Sequence, residues 1–183
     1  LISDNVLSVA MDGDIILSSV TNIHDIALDC PANIPSPKEF IFPQKEEMFK
    51  FSQKGVDILN NSRKRVVFGV RSCDMSAVAL LDKFYGGLFE DGFYMSRRKN
   101  TIFISIACNN PDPTCFCTGL GTGPYLKSGF DIQLTDLGDR YLVQIGSKEG
   151  QSLIKRFRHL FQMPKKADYD DQYEANLSSQ SKF

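Results

Sequence analysis

The 183-residue sequence has no long hydrophobic run. Its apolar stretches are strand-sized, short of the roughly 18 residues a membrane-crossing helix needs, so no membrane insertion is expected. Neither charge is in excess. Twenty-one Lys and Arg against 22 Asp and Glu give a formal net charge of -1, which supplies no global field to draw the chain to nucleic acid or to an anionic membrane. The first twenty residues carry Asp4, Asp12 and Asp14 without a leading Lys or Arg, and so do not read as a secretory signal. No internal repeat is apparent. Histidine is scarce: His24 and His159 stand alone, neither in a setting that suggests a ligand or a general base, and no grouping of serine, histidine and acid supports a hydrolase. The five cysteines are odd in number and unevenly spaced, which argues against a secreted disulfide framework and for a reducing cytoplasmic setting. What remains is ordinary for a globular domain, with 42% hydrophobic and 23% charged residues.

Along the chain, Val6 to Val20 holds two apolar runs around Asp12-Gly13, which predicts a hairpin. Four prolines between Asp29 and Pro43 predict an extended connector, with Cys30 as a small residue of no chemical role. Lys45 to Asn60, with Met48, Phe49, Val56, Ile58 and Leu59, reads as an amphipathic helix. Arg65-Val66-Val67-Phe68-Gly69-Val70 is β-branched enough for a buried strand. A helix follows, marked by Ala77, Val78, Leu80, Leu81, Phe84, Tyr85 and Leu88, with Ser72 or Asp74 placed to cap it. Gly86-Gly87 weakens its end and Asp91-Gly92 marks a turn. Thr101 to Ala107 is a second buried strand, so residues 65–107 form a βαβ unit with parallel strands. Phe130 to Leu134 and Tyr141 to Ile145 predict a second hairpin. Gln151 to Gln162 predicts a helix ended by Pro164. From Lys165 the chain is polar and is expected to be an arm or linker without a core of its own.

The chemistry concentrates in residues 108–124, where Cys108, Cys115 and Cys117 lie in a loop held by Pro111, Pro113 and Pro124 and by Gly119, Gly121 and Gly123. A fourth thiol comes from topology. Cys73 follows the first strand of the βαβ unit and Cys108 the second, and parallel strands place both carboxyl ends on one edge, where open α/β sheets hold their ligands. Four soft thiolates are what an iron-sulfur cluster takes. The spacing of six residues and then one is neither the tight ferredoxin run nor a paired C-x2-C zinc ribbon, so the residues alone leave open an iron-sulfur site, a structural zinc or unmetallated thiols. The glycines leave backbone amides open to hydrogen-bond sulfur. Arg71 and Asp74 flank Cys73, and Arg71 could stabilise an anionic group. Arg97-Arg98-Lys99 with Lys83 could dock an acidic protein or form a solvated turn, and Tyr94 could pack over the sheet edge. The glycine-rich stretch neither follows a strand nor opens a helix, so a nucleotide site is not expected.

Several blocks, in order, carry a family resemblance: Pro37-Lys38-Glu39-Phe40-Ile41-Phe42-Pro43, Phe68-Gly69-Val70-Arg71-Ser72-Cys73-Asp74, Asp91-Gly92-Phe93-Tyr94-Met95-Ser96-Arg97-Arg98, Cys115-Phe116-Cys117 with Gly121-Thr122-Gly123-Pro124, and Gly129-Phe130-Asp131-Ile132 with Leu134-Thr135-Asp136-Leu137-Gly138. Over residues 37–150 the chain resembles the iron-sulfur subunits typified by that of anaerobic sulfite reductase and by the sulfhydrogenase beta subunit. Ser72 stands where that family has a proline. The resemblance implies an electron-transfer subunit of an anaerobic oxidoreductase, with a flavin-containing reductase subunit on one side and a catalytic redox subunit on the other. Such subunits usually continue into a ferredoxin-like segment with two more sets of cysteines, and no cysteine follows Cys117 here.

The expected fold is mixed α/β, a small mixed sheet built on the βαβ unit with flanking helices and a C-terminal hairpin. Residues 1–36 would be a hairpin and connector, 37–163 the iron-sulfur domain, and 164–183 a polar arm. The expected function is electron transfer through one iron-sulfur cluster of the [4Fe-4S] type on Cys73, Cys108, Cys115 and Cys117. The alternatives are a structural zinc-binding assembly module and a scaffold that has lost its metal.

Overall fold

The βαβ unit forms as its hydrophobic pattern requires. In the computed structural model, which describes residues 6–12, 14–20, 22–28, 36–60 and 63–183, strand β5 (Arg65–Arg71) leads into helix α1 (Ser72–Tyr85) and strand β6 (Thr101–Ile106). Strands β5 and β6 are parallel. Before them lie the hairpin of β1 (Val6–Asp12) and β2 (Asp14–Ser19) and a second hairpin of β3 (Phe49–Ser52) and β4 (Gly55–Ile58). After them come β7 (Ile132–Asp136) and β8 (Tyr141–Ile145), which pair antiparallel, and helix α3 (Lys148–Arg156).

The main sheet has six strands in the order β2-β1-β5-β6-β7-β8. The inner four, β1, β5, β6 and β7, run parallel, and β2 and β8 close the sheet antiparallel at its two edges. The carboxyl ends of β5, β6 and β7 therefore share one edge. Helix α1 packs Met75 and Val78 against Val67, Val70 and Phe103 of the sheet, and Ile41 and Tyr94 complete this core. Val67 and Val70 lie three residues apart, which on a regular strand would put them on opposite faces. The register slips between Phe68 and Val70, where Gly69 takes a φ of 82°. That bulge turns both valines into one core, and only glycine adopts its left-handed backbone without strain.

Four expectations are corrected. Residues 45–60 are not a helix, because Phe49, Phe51, Val56 and Ile58 follow a period of two and pair directly across the β3–β4 hairpin, with Gly55 at φ 134° turning the chain. Asp91 does not merely mark a turn: its carboxylate accepts the amides of Phe93 and Tyr94 and so caps a further helix, α2 (Gly92–Lys99). The cap residue of α1 is Arg71, without a side-chain cap bond, so neither Ser72 nor Asp74 does that work. Of the residues expected on the apolar face Val78 is buried, joined by Met75, whereas Leu80 and Phe84 are exposed, as is Leu88 beyond the helix end.

The basic cluster also differs from a free docking patch. Arg97 is buried, donates to the Ile41 carbonyl at 2.7 Å and pairs with Glu46, while Arg98 binds Asp82 at 3.0 Å. Tyr94 sits in the core rather than over the sheet edge and donates to Asp82 at 2.6 Å. The helix expected over 151–162 starts earlier and ends at Arg156, followed by a single 3-10 turn, Arg158–Leu160. The connector expectation between Asp29 and Pro43 falls partly outside the described residues, as does Cys30; within its described part, Pro37–Phe40 is a 3-10 turn.

The polar segment after Pro164 is a helix, α4 (Lys166–Gln180). Its one apolar row, Tyr169, Tyr173 and Leu177, is exposed and does not seat it. Polar ties hold it to the β7–β8 hairpin: Arg140 reaches Asp168 at 2.8 Å and Asp171 at 2.6 Å, and Gln172 donates to Thr135 and Gln144.

Candidate metal centre

Cys73 is the second residue of α1, delivered by the end of β5, and Cys108 comes two residues after β6 ends. Residues 107–131 are the connection that carries the chain back to start β7 parallel to β6. Local bonds give this long connection its shape. Asp112 accepts the amide and the hydroxyl of Thr114, and its carbonyl accepts the Cys115 amide at 2.9 Å. The Cys117 carbonyl accepts the Thr122 amide at 2.9 Å, which folds the glycine-rich stretch back on the C-x-C pair.

That stretch is then fastened to α1 and β6 together. The Pro124 carbonyl accepts the buried Ser72 hydroxyl at 2.7 Å and the Cys108 amide at 2.9 Å. Ser76 donates to the Thr122 carbonyl at 3.2 Å. Gly123 has no room for a side chain, since a Cβ there would lie 2.9 Å from the Cys117 sulfur. Backbone thus packs directly on that sulfur.

The four thiols share one electrostatic neighbourhood. Burial pushes the Cys73 thiol up to about 11, aided by the Asp74 carboxylate and then by Cys117 and Cys108. Cys73 is exposed as a residue, yet the protein atoms around its sulfur still desolvate it. Cys108 is also raised, by burial first, with Cys115 adding to the rise and Arg71 and Lys182 opposing it. Cys117 is raised by burial, then by Cys115 and Cys108. Cys117 and Cys108 thus act on Cys73, and Cys115 acts on Cys108 and Cys117. Among the described residues no three Cys, His, Asp or Glu groups close on a point as the ligands of a single ion do.

Of the flanking residues, Arg71 donates to the Leu28 carbonyl at 2.6 Å and places its positive charge near Cys108. Asp74 accepts from Ser36, and burial raises its carboxyl above the usual range. His24 and His159 are both exposed. The contribution of α4 was not legible in the sequence. Ser179 is buried and its hydroxyl donates to the Cys108 carbonyl, while Lys182 binds the Asn109 carbonyl at 2.9 Å and the Asn110 side chain at 2.8 Å.

Over 164 residues, 90% of its length, the chain is 36% identical to the sulfhydrogenase 2 subunit beta of Pyrococcus furiosus. The chain is thus similar to the sulfhydrogenase beta subunit over nearly all of its own length. It spans about half of that relative's length, 46%. No family model matches the sequence, and no solved structure matches it.

Proposed function

We propose that this chain is the iron-sulfur electron-transfer part of an oxidoreductase complex, with Cys73, Cys108, Cys115 and Cys117 as the ligands of one [4Fe-4S] cluster. The observation that carries the reading is that the Pro124 carbonyl accepts both the Ser72 hydroxyl and the Cys108 amide, which ties the two strand ends bearing Cys73 and Cys108 to the glycine-rich turn folded back on the Cys115–Cys117 pair. An all-sulfur donor set suits iron-sulfur chemistry. The close approach of Gly123 to the Cys117 sulfur leaves that side of the site to backbone, the kind of neighbour that hydrogen-bonds cluster sulfur.

When bound, such a cluster accepts and passes on single electrons. The chain's own residues supply the rest. The Pro124 carbonyl fixes α1 and the exit of β6 to the same point, which holds Cys73 and Cys108 at a set separation. Arg71 and Lys182 bring positive charge to the Cys108 side, which favours an anionic thiolate set. In the complex the chain would have a flavin-containing reductase subunit on one side and a catalytic redox subunit on the other, as the family resemblance implies.

The test is iron, acid-labile sulfide and zinc analysis of anaerobically purified protein with its visible spectrum. About four iron and four sulfide per chain, with broad charge-transfer absorption in the blue, are expected. A colourless protein with one zinc per chain would instead make this a structural zinc module.

A further inference from the structure

Helix α4 is unusual in how it is held. Its sequence, Lys166 to Gln180, is polar, yet it lies along the β7–β8 hairpin through Arg140, Asp168, Asp171 and Gln172. Its last turn then meets the cysteine connection from two sides. Ser179 donates to the Cys108 carbonyl, and Lys182, just past the helix, donates to the Asn109 carbonyl and to Asn110. Gln180 reaches the Tyr125 hydroxyl at 3.3 Å, next to the Pro124 carbonyl that accepts the Cys108 amide. Cys108 is thus held at its amide by the loop and at its carbonyl by α4, 71 residues later in the chain.

Resting on the iron-sulfur reading, we infer that Ser179 and Lys182 are positioning residues for Cys108, and that α4 is the brace that holds this ligand's peptide in place. The bond at Ser179 is the stronger anchor because it is shielded from water; the bonds of Lys182, which is exposed, compete with solvent. A brace of this kind acts on the site through backbone, not by touching the bound group. Its effect is to narrow the positions that the Cys108 sulfur can take, and so to fix the environment in which electrons are gained and lost.

Ser179→Ala, Lys182→Gln and Lys182→Arg test the inference. Amide hydrogen exchange over residues 107–112, read in the purified protein whether or not it is loaded, should rise about tenfold in Ser179→Ala. Lys182→Gln should raise it about twofold to threefold, and Lys182→Arg should restore the wild-type rate. Since Lys182 is exposed, its substitution does not endanger folding. In loaded protein the reduction potential should move in Ser179→Ala and Lys182→Gln and return in Lys182→Arg. Wild-type exchange in both Ser179→Ala and Lys182→Gln, or a wild-type potential in both, overturns the brace. If the protein binds no cluster, the iron-sulfur reading fails by itself and the exchange comparison still decides the role of α4.

Discussion

The Ser72 hydroxyl donates to the Pro124 carbonyl at 2.7 Å, and through that single acceptor the start of α1 is joined to the far side of the cysteine connection. The same oxygen accepts the Cys108 amide at 2.9 Å. Ser72 is buried, so its bond has no water to replace it. Ser72→Ala is expected to cost about 1 kcal/mol of stability, measured by denaturant unfolding, and to leave the Pro124 carbonyl with the Cys108 amide alone. An unchanged midpoint would mean that the hydroxyl is not a tie between the two segments.

Gly123 sets a second, sharper constraint. A methyl group there would lie 2.9 Å from the Cys117 sulfur, closer than such atoms come without a shift. Gly123→Ala should displace Cys117 or the loop, at a cost of about 1–3 kcal/mol, and lower the iron content of the purified protein while its circular dichroism is retained. Full iron loading in this variant would show that the cradle is slack.

The bulge in β5 makes a prediction far from the thiols. Gly69 holds φ at 82°, so Gly69→Ala places an L side chain in a left-handed backbone, at about 1–2 kcal/mol. Thermal unfolding would read this as a lowered Tm. If Tm is unchanged, the valines on either side do not need the bulge to share one core.

Acid should loosen α4 at its first turn. The Lys165 amide and then the Arg140 guanidinium hold the Asp168 carboxyl below the usual carboxylate range. A carboxyl depressed in the folded state stabilises fully above its unfolded pKa of about 3.9, and that contribution is lost as pH falls through the lower folded value. The stability difference between wild type and Asp168→Asn should therefore be constant at neutral pH and shrink below about pH 4. A difference that grows on acidification would contradict the pairing.

The parts legible in sequence were those that hydrophobic period and strand topology govern. The runs at 65–71 and 101–106 announced two buried strands, and their parallel order sent Cys73 and Cys108 to one edge before any side chain was placed. The hairpin at 49–58 was misread because five apolar residues over sixteen fit a helix loosely, whereas Phe49, Phe51, Val56 and Ile58 fit a period of two closely. Helix α2 was hidden by its length and by Asp91-Gly92, a pair that marks turns as readily as it caps helices. Helix α4 has only the short row Tyr169, Tyr173 and Leu177 at helical spacing, and that row is exposed; what holds the helix is Arg140, Gln172, Ser179 and Lys182 meeting partners remote in sequence. Polar ties of that kind leave no periodic trace.

The central claim is that Cys73, remote from the other three thiols in sequence, is a ligand beside Cys108, Cys115 and Cys117. Visible and electron paramagnetic resonance spectra of anaerobically purified Cys73→Ser, set beside Cys30→Ser, test it most directly. The account predicts that Cys73→Ser loses or remodels the cluster signal while Cys30→Ser keeps the wild-type spectrum; a wild-type spectrum in Cys73→Ser would contradict it.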